Sequence, residues 1–256
     1  TRIWRNAVID NRQQVIRGDS LYYDDNIGYG ESFGNVTITD TTNNVIVAGN
    51  YAWYHKKPEK FMVTDSALFI QVSKGDSLFL HADTISAVTV TDLTGKEFRL
   101  MRAYYGCRIF SYDLQGRCDS LSYSFQDSVI RLYDQPVLWS EEHQLRADSI
   151  AVFTKNRQAD RLELFSSAFI TSEVDKLRFN QIKGRALTGY FKNNELYKIA
   201  INGNGESLYY LVDETDLVGE NRVRCAKMEI FLENGKIKDI FQYQPDGTID
   251  PPTDKP

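Results

Sequence analysis

Two copies of the string Gly-Asp-Ser-Leu, at 18–21 and 75–78, place a serine between an acid and an apolar residue. A serine becomes a nucleophile for ester hydrolysis when a base stands within hydrogen-bond reach and is itself oriented by a third group. The histidines are His55, His81 and His143. None follows an aspartate by three residues and none is C-terminal, so Ser20 and Ser77 have no evident base in the sequence. The carboxylate pairs Asp24-Asp25 and Glu141-Glu142 read as solvated loops rather than a glycosidase pair. No Asp-x-Asp-x-Asp-Gly calcium loop is present, and no glycine-rich phosphate loop follows a strand and opens a helix. Cys107, Cys118 and Cys225 form no Cys-x-x-Cys or Cys/His cluster and read as small apolar residues in strands. Neither a metal nor a cofactor is expected. The cluster His55-Lys56-Lys57-Pro58-Glu59-Lys60 offers Lys56, Lys57 and Lys60 to an anionic head group, because lysine presents a flexible point charge to phosphate. Its plainer reading is an exposed turn.

The elements that must hold these residues are strands. The chain has 256 residues, with 15 Tyr, 14 Phe and 3 Trp. Val, Ile and Thr are plentiful, which is a strand-former's composition. Amphipathic helical stretches are scarce; Glu141 to Leu145 and Ser172 to Phe179 are the segments that could be helical. With 30 Lys+Arg against 35 Asp+Glu, the net charge is −5, which argues against nucleic acid as the main partner. No apolar run approaches the ~20 residues that span a bilayer. The chain starts at Thr1 and shows no signal-peptide pattern, which reads as a trimmed chain whose address label has been removed.

Hairpins are expected at 35–40 with 45–54, at 188–192 with 195–201, and at 228–233 with 236–243. Asn-Asn or Asn-Gly turns, which tolerate positive φ, sit at or near each connection. Further turns are expected at Asp113-Leu-Gln-Gly116 and Thr94-Gly95, and Gly203-Asn204-Gly205 reads as a hairpin turn. One pattern recurs: a small or polar residue, Asp, Ser or Thr, then an apolar residue. It occurs at 18–21, 64–67, 75–78, 82–85, 118–121, 126–129 and 147–150, with a looser copy at 205–208. The spacing is irregular, unlike a solenoid. Asp and Ser/Thr side chains can bond backbone N–H groups nearby, so each copy reads as a corner, with the following apolar residue pointing inward. One body over 1–244 is expected, with a Pro-rich flexible tail or linker at 245–256. Asn35-Val36-Thr37 matches a glycosylation sequon, but it lies inside an expected strand and reads as chance.

These units resemble the OstA/LptA family. The likeness is carried by Gly-Asn-Val-x-Ile (34–38), Gly-Asp-Ser-Leu-x-Leu-x-Ala-Asp-Thr-Ile (75–85) and Leu-x-Ala-Asp-Ser-Ile (145–150). The C-terminal part adds Ile201 to Tyr210, Gly219-Glu-Asn-Arg222, Asn234-Gly-Lys-Ile237 and Gln244-Pro-Asp-Gly247. The resemblance implies an all-β, antiparallel β-jelly roll: an open, V-shaped or taco-like two-sheet body of repeated strand-corner units. It further implies a non-catalytic, periplasmic protein that carries lipopolysaccharide to the outer membrane, with acyl chains in a slot between the sheets. Other Lpt-type jelly rolls, or further copies of the chain, would pair with edge strands such as Ile3 to Ile9 and Ile237 to Tyr243. The slot residues expected on this basis are Val36, Ile38, Leu78, Leu80, Ile85, Leu121, Tyr123, Leu145, Ile150 and Val152, each of which could equally be plain core. The competing readings are a GDSL-like serine hydrolase, which needs Ser20 or Ser77 beside a histidine, and a structural or adhesive β protein with a closed interior.

Overall fold

The computed structural model describes residues 2–10, 14–73, 77–112, 114–140, 143–155, 158–192, 195–213, 216–233 and 236–250. All regular structure among them is β-strand, as composition led us to expect. Two compact units divide the chain, 1–132 and 133–256. Composition does not mark that division.

The first unit contains β1 (Arg2–Asp10), β2 (Gln14–Asp24), β3 (Tyr29–Asp40), β4 (Val45–Lys56), β5 (Glu59–Gln71), β6 (Leu78–Thr91), β7 (Glu97–Phe110) and β8 (Gln115–Ser124), and β9 (Val129–Tyr133) begins in it. From β1 to β8 each strand pairs antiparallel with the next. The turns follow local side-chain chemistry. Asp40 accepts the backbone N–H of Asn43, and Asn44 takes φ 55°. Asp92 accepts the N–H groups of Thr94 and Lys96, while Gly95 takes φ 84°.

Each strand from β1 to β7 is interrupted near its middle. Register shifts fall between Trp4 and Ala7, Phe33 and Val36, Thr64 and Ala67, and Tyr104 and Cys107. At those shifts, alternate strands carry two successive left-handed residues: Arg5–Asn6, Gly34–Asn35, Asp65–Ser66 and Tyr105–Gly106. The facing strands pass the line with Gly18-Asp19, Gly49-Asn50, Ala82-Asp83 and Cys118-Asp119, none with positive φ. The left-handed region is least costly for Gly, Asn and Asp, which explains much of the residue choice. A bulge bends its strand. Bends aligned across neighbouring strands fold the sheet along one line into two arms.

The second unit repeats the device. It holds β10 (Val137–Ser140), β11 (His143–Arg146), β12 (Ser149–Lys155), β13 (Gln158–Glu173), β14 (Phe179–Lys192), β15 (Glu195–Asp213), β16 (Asp216–Glu233), β17 (Lys236–Tyr243) and β18 (Asp246–Asp250). The corner residues are Ser166–Ser167 on β13, Gly184-Arg185 on β14 and Gly203–Asn204 on β15. β11 and β12 are two halves of one path, pairing with β13 on either side of its corner. The Asp148 N–H between them reaches the carbonyls of Phe165 and Ser166. β17 and β18 likewise flank a break and pair with the two halves of β16, with Gln244 at φ 55° between them.

Several expectations change. The two candidate helices are not helices. His143 to Arg146 is β11. The 172–179 stretch is the end of β13 plus a turn, in which Asp175 accepts the N–H groups of Leu177 and Arg178. Glu141 and Glu142 lie outside the described residues. Gly203-Asn204-Gly205 is a corner inside β15 rather than a hairpin turn. In the Pro-rich stretch, 246–250 form β18 and 251–256 lie outside the described residues. The three expected hairpins are present as β3–β4, β14–β15 and β16–β17, though 193–194 and 234–235 are outside the described residues. Most Asp-Ser/Thr copies fall at or beside corners. The copy at 126–129 is a turn, where Asp127 accepts the N–H of Val129, and Gly75 and Asp76 lie outside the described residues.

Candidate functional site: the graded inner face

Cross-strand register resolves the more buried side of the first unit, its inner face, into rows. One row next to the corner runs Leu21–Ser32–Ala52–Val63–Ile85–Ala103–Leu121, and every member is buried. At the corner itself the facing pairs are small: Ala7–Gly18, Val36–Gly49, Ala67–Ala82 and Cys107–Cys118. The size limit is steric. A Cβ on Gly49 would stand 2.5 Å from Val63 Cγ1 and 2.8 Å from the Thr64 carbonyl oxygen. On the other arm the row is Ile9–Ile16–Ile38–Val47–Phe69–Leu80–Ile109.

Burial is uneven along this second-arm row. Val47 and Leu80 are buried, but Ile9, Ile16, Ile38, Phe69 and Ile109 are half-buried. On the first arm the next row outward is Tyr23–Gly30–Tyr54–Phe61–Ala87–Met101–Tyr123, whose four rings are half-buried while Gly30, Ala87 and Met101 are buried. Beyond it lies a charged lip. Lys56 faces Glu59 across the turn, Thr89 faces Arg99, and the Thr89 hydroxyl donates to Glu59 at 3.4 Å. Arg99 Nη2 and Glu59 Oε1 are 3.2 Å apart. Burial raises the Tyr54 phenol above its ordinary value, and the Glu59 charge adds to that. The lip of the other arm is Gln14–Asp40–Val45–Gln71–Leu78. Burial there pushes the Asp40 carboxyl up, but hydrogen bonds led by those from Asn43 outweigh it and hold the group below its ordinary value.

The second unit has rows of the same kind, but Leu162, Gly189, Ile199 and Ile230 of its second row are buried as well. Its deepest row, Ile150–Leu164–Leu187–Ile201–Met228, is buried throughout. Beside it run Val152–Leu162–Gly189–Ile199–Ile230–Ile240, and the other arm carries Leu145–Ile170–Ile182.

All ten residues expected in the slot lie on these inner faces, seven in the first unit and Leu145, Ile150 and Val152 in the second. Val36, Leu80, Ile85, Leu121, Leu145 and Ile150 are buried; Ile38, Leu78, Tyr123 and Val152 are half-buried. Sequence reasoning missed Ile9, Ile16, Tyr23, Tyr54, Phe61, Phe69 and Ile109. Period-two counting outward from the hairpins would have found them.

The lysines of the basic cluster do not share a face. Lys56 and Lys57 sit at the β4–β5 turn. Lys56 is in inner-face register, its Cβ 2.8 Å from where a Cβ on Gly28 would stand. Lys60 pairs with His55 on the outer face, with Nζ 5.5 Å from the Trp53 ring centroid. The cysteines form no disulfide, are buried and occupy small-residue corner positions, consistent with their reading as small apolar residues. Burial pushes the Cys225 thiol up, while the hydrogen bond with Cys118 brings Cys107 down. Ser20 lies on the outer face between Trp4 and Phe33. The histidines' cross-strand neighbours are Tyr29 and Lys60 for His55, Leu68 and Arg108 for His81, and Ser140 and Ser172 for His143. Among the described residues no group of three or more His, Cys, Asp or Glu is placed to hold a metal, and no helix is long and apolar enough to cross a membrane.

No family model matches the chain, and no curated protein matches it. Solved structures similar to it include the crystal structure of LptH, the LptA-homologous periplasmic component of the conserved lipopolysaccharide transport device from Pseudomonas aeruginosa. That likeness has 16% identity and a TM-score of 0.38, and covers 47% of this chain and 81% of that one. The reading of the site rests on its own geometry.

Proposed function

We propose that the chain is a non-catalytic carrier that holds lipid acyl chains against its inner faces and passes lipopolysaccharide across the periplasm toward the outer membrane. The observation that carries this reading is the gradient of burial. In the first unit the row Leu21–Ser32–Ala52–Val63–Ile85–Ala103–Leu121 is buried throughout, whereas Ile9, Ile16, Ile38, Phe69 and Ile109 on the other arm, and the rings of Tyr23, Tyr54, Phe61 and Tyr123 farther out, stay half-buried, which a closed core would not leave so. Each methylene removed from water contributes about 0.8 kcal/mol, so covering six methylenes of one chain is worth roughly 5 kcal/mol. Repeated sequence units that resemble the OstA/LptA family point to lipopolysaccharide as the cargo.

Partners of the same strand-corner build join through terminal strands in this reading. β1 pairs with β2 along one side, and β17 and β18 pair with β16 along one side. Trp4 and Val8 on β1, and Phe241 and Tyr243 on β17, are exposed. An edge strand adds to another sheet through its free backbone groups. To test the cargo, fluorescent deep-rough lipopolysaccharide is titrated with the protein. Saturable binding that unlabelled lipopolysaccharide displaces, and that Ile38→Asp with Phe69→Asp removes, is expected. Absence of binding by the folded wild type would refute the proposal.

A further inference from the structure

Three successive rows on the first arm change character in order. Nearest the corner they are buried and, Ser32 apart, aliphatic, then come Tyr23, Tyr54 and Tyr123, then the lip with Lys56, Glu59, Thr89 and Arg99. Tyrosine suits a boundary between apolar and wet surroundings, since it carries a large ring and a polar tip. Among the described residues, the lip of the opposite arm offers Gln14, Asp40 and Gln71 and no cation. Among the described residues, only the first lip carries cations.

We infer that the first unit orients an anionic amphiphile, with its phosphate on the Lys56–Arg99 lip, its glycerol- or sugar-level atoms against the tyrosine row, and its tail toward the corner. This deepens the carrier reading and rests on it. Arg99 is the principal contact. Its planar fork can engage a phosphate bidentately while its ion pair with Glu59, at 3.2 Å, holds the guanidinium at the lip. Lys56 supplies the second charge. The absent side chain at Gly28, where the turn has φ 62°, leaves room for the Lys56 stem. Lys60, on the outer face over Trp53, takes no part.

The probes are dodecyl phosphate, dodecyl maltoside and inorganic phosphate, each titrated into the full chain by calorimetry below the micelle concentrations. Arg99→Gln should weaken dodecyl phosphate about tenfold, the loss expected for one charge-assisted contact. Lys56→Gln should weaken it severalfold. Dodecyl maltoside should bind all variants alike, and Lys60→Gln should behave as wild type. Equal losses for both detergents, no loss in either lip variant, or a loss in Lys60→Gln matching Arg99→Gln would each overturn the inference. Inorganic phosphate binding as tightly as dodecyl phosphate would also overturn it, because the lip would then be a phosphate site independent of a tail. If the wild type binds neither detergent, the carrier reading itself falls. If both bind and the lip variants change nothing, only the orientation falls.

Discussion

Gly49→Ala isolates the steric rule on which the fold at the corner depends. Gly49 has no positive φ, so alanine can adopt its backbone conformation. At an unconstrained site of that kind, Gly→Ala stabilises by about 0.4–1 kcal/mol through the unfolded chain. Here the new methyl would stand 2.5 Å from Val63 Cγ1 and 2.8 Å from the Thr64 carbonyl oxygen. Val63 is fully buried, so it has no free space into which to move. Overpacking of this sort costs about 1–3 kcal/mol. The steric cost exceeds the entropic gain, and net destabilisation of about 1–2 kcal/mol follows. Val63→Ala removes the closer contact but leaves the backbone one, so Gly49→Ala in that background should cost less by at least about 0.5 kcal/mol. Urea unfolding followed by circular dichroism and tryptophan fluorescence reads both effects. A Gly49→Ala midpoint at or above wild type, or strict additivity with Val63→Ala, would refute the idea that the two rows meet across the corner.

The second unit provides a simpler contrast. Leu187→Ala, in the deepest row, should cost about 2–5 kcal/mol in urea unfolding, whereas Leu177→Ala, at an exposed turn, should stay within about 0.5 kcal/mol; equal costs would contradict the inner-face assignment. Asp175 is held below the ordinary carboxylate range, first by the Leu177 N–H and then by Arg178. Its folded pKa is depressed, so its contribution is complete above its unfolded value of about 3.9 and is lost as pH falls through the folded one. The thermal-midpoint gap between wild type and Asp175→Asn should therefore narrow below about pH 4, and a gap that does not change with pH would exclude the turn's dependence on that charge. Trp4→Lys with Val8→Lys should abolish concentration-dependent association by light scattering, because lysine blunts an edge strand; association unchanged by both substitutions would remove β1 as a docking edge.

Much of the fold was legible locally. Asn43-Asn44 after Asp40, and Thr94-Gly95 after Asp92, announce turns because their side chains and φ preferences act within four residues. The Asp-Ser/Thr pattern marked corners at 18–21, 64–67, 82–85 and 118–121, but it missed Arg5-Asn6, Gly49-Asn50, Tyr105-Gly106 and Ser166-Ser167. A corner requires two residues that tolerate the left-handed region, or a partner small enough to pass them, and several residue types meet either demand. The mechanism inferred for the aspartates was only partly right. Asp127 does bond a backbone N–H two residues on, but Asp19 accepts from Asn35 Nδ2 on the neighbouring strand at 3.1 and 3.2 Å. A cross-strand contact is invisible until register is known. Register likewise separates Lys56 from Lys60: four positions apart, they lie on opposite faces because Lys56 pairs with Glu59 and Lys60 with His55, in adjacent pairs of the hairpin. Arg99 went unnoticed because its ion pair with Glu59 joins β5 and β7 across the intervening β6, through positions far apart in sequence.

The central claim is that apolar chains of a lipid lie against the inner face and not the outer one. Phe69 and Phe79 separate the two faces, since they sit on neighbouring strands with Phe69 in the inner row and Phe79 on the outer side. A photoreactive phenylalanine at each position, irradiated with radiolabelled lipopolysaccharide bound to the full chain, measures the contact directly. The account predicts labelling at Phe69 and background at Phe79; equal labelling at both, or labelling confined to Phe79, would contradict it.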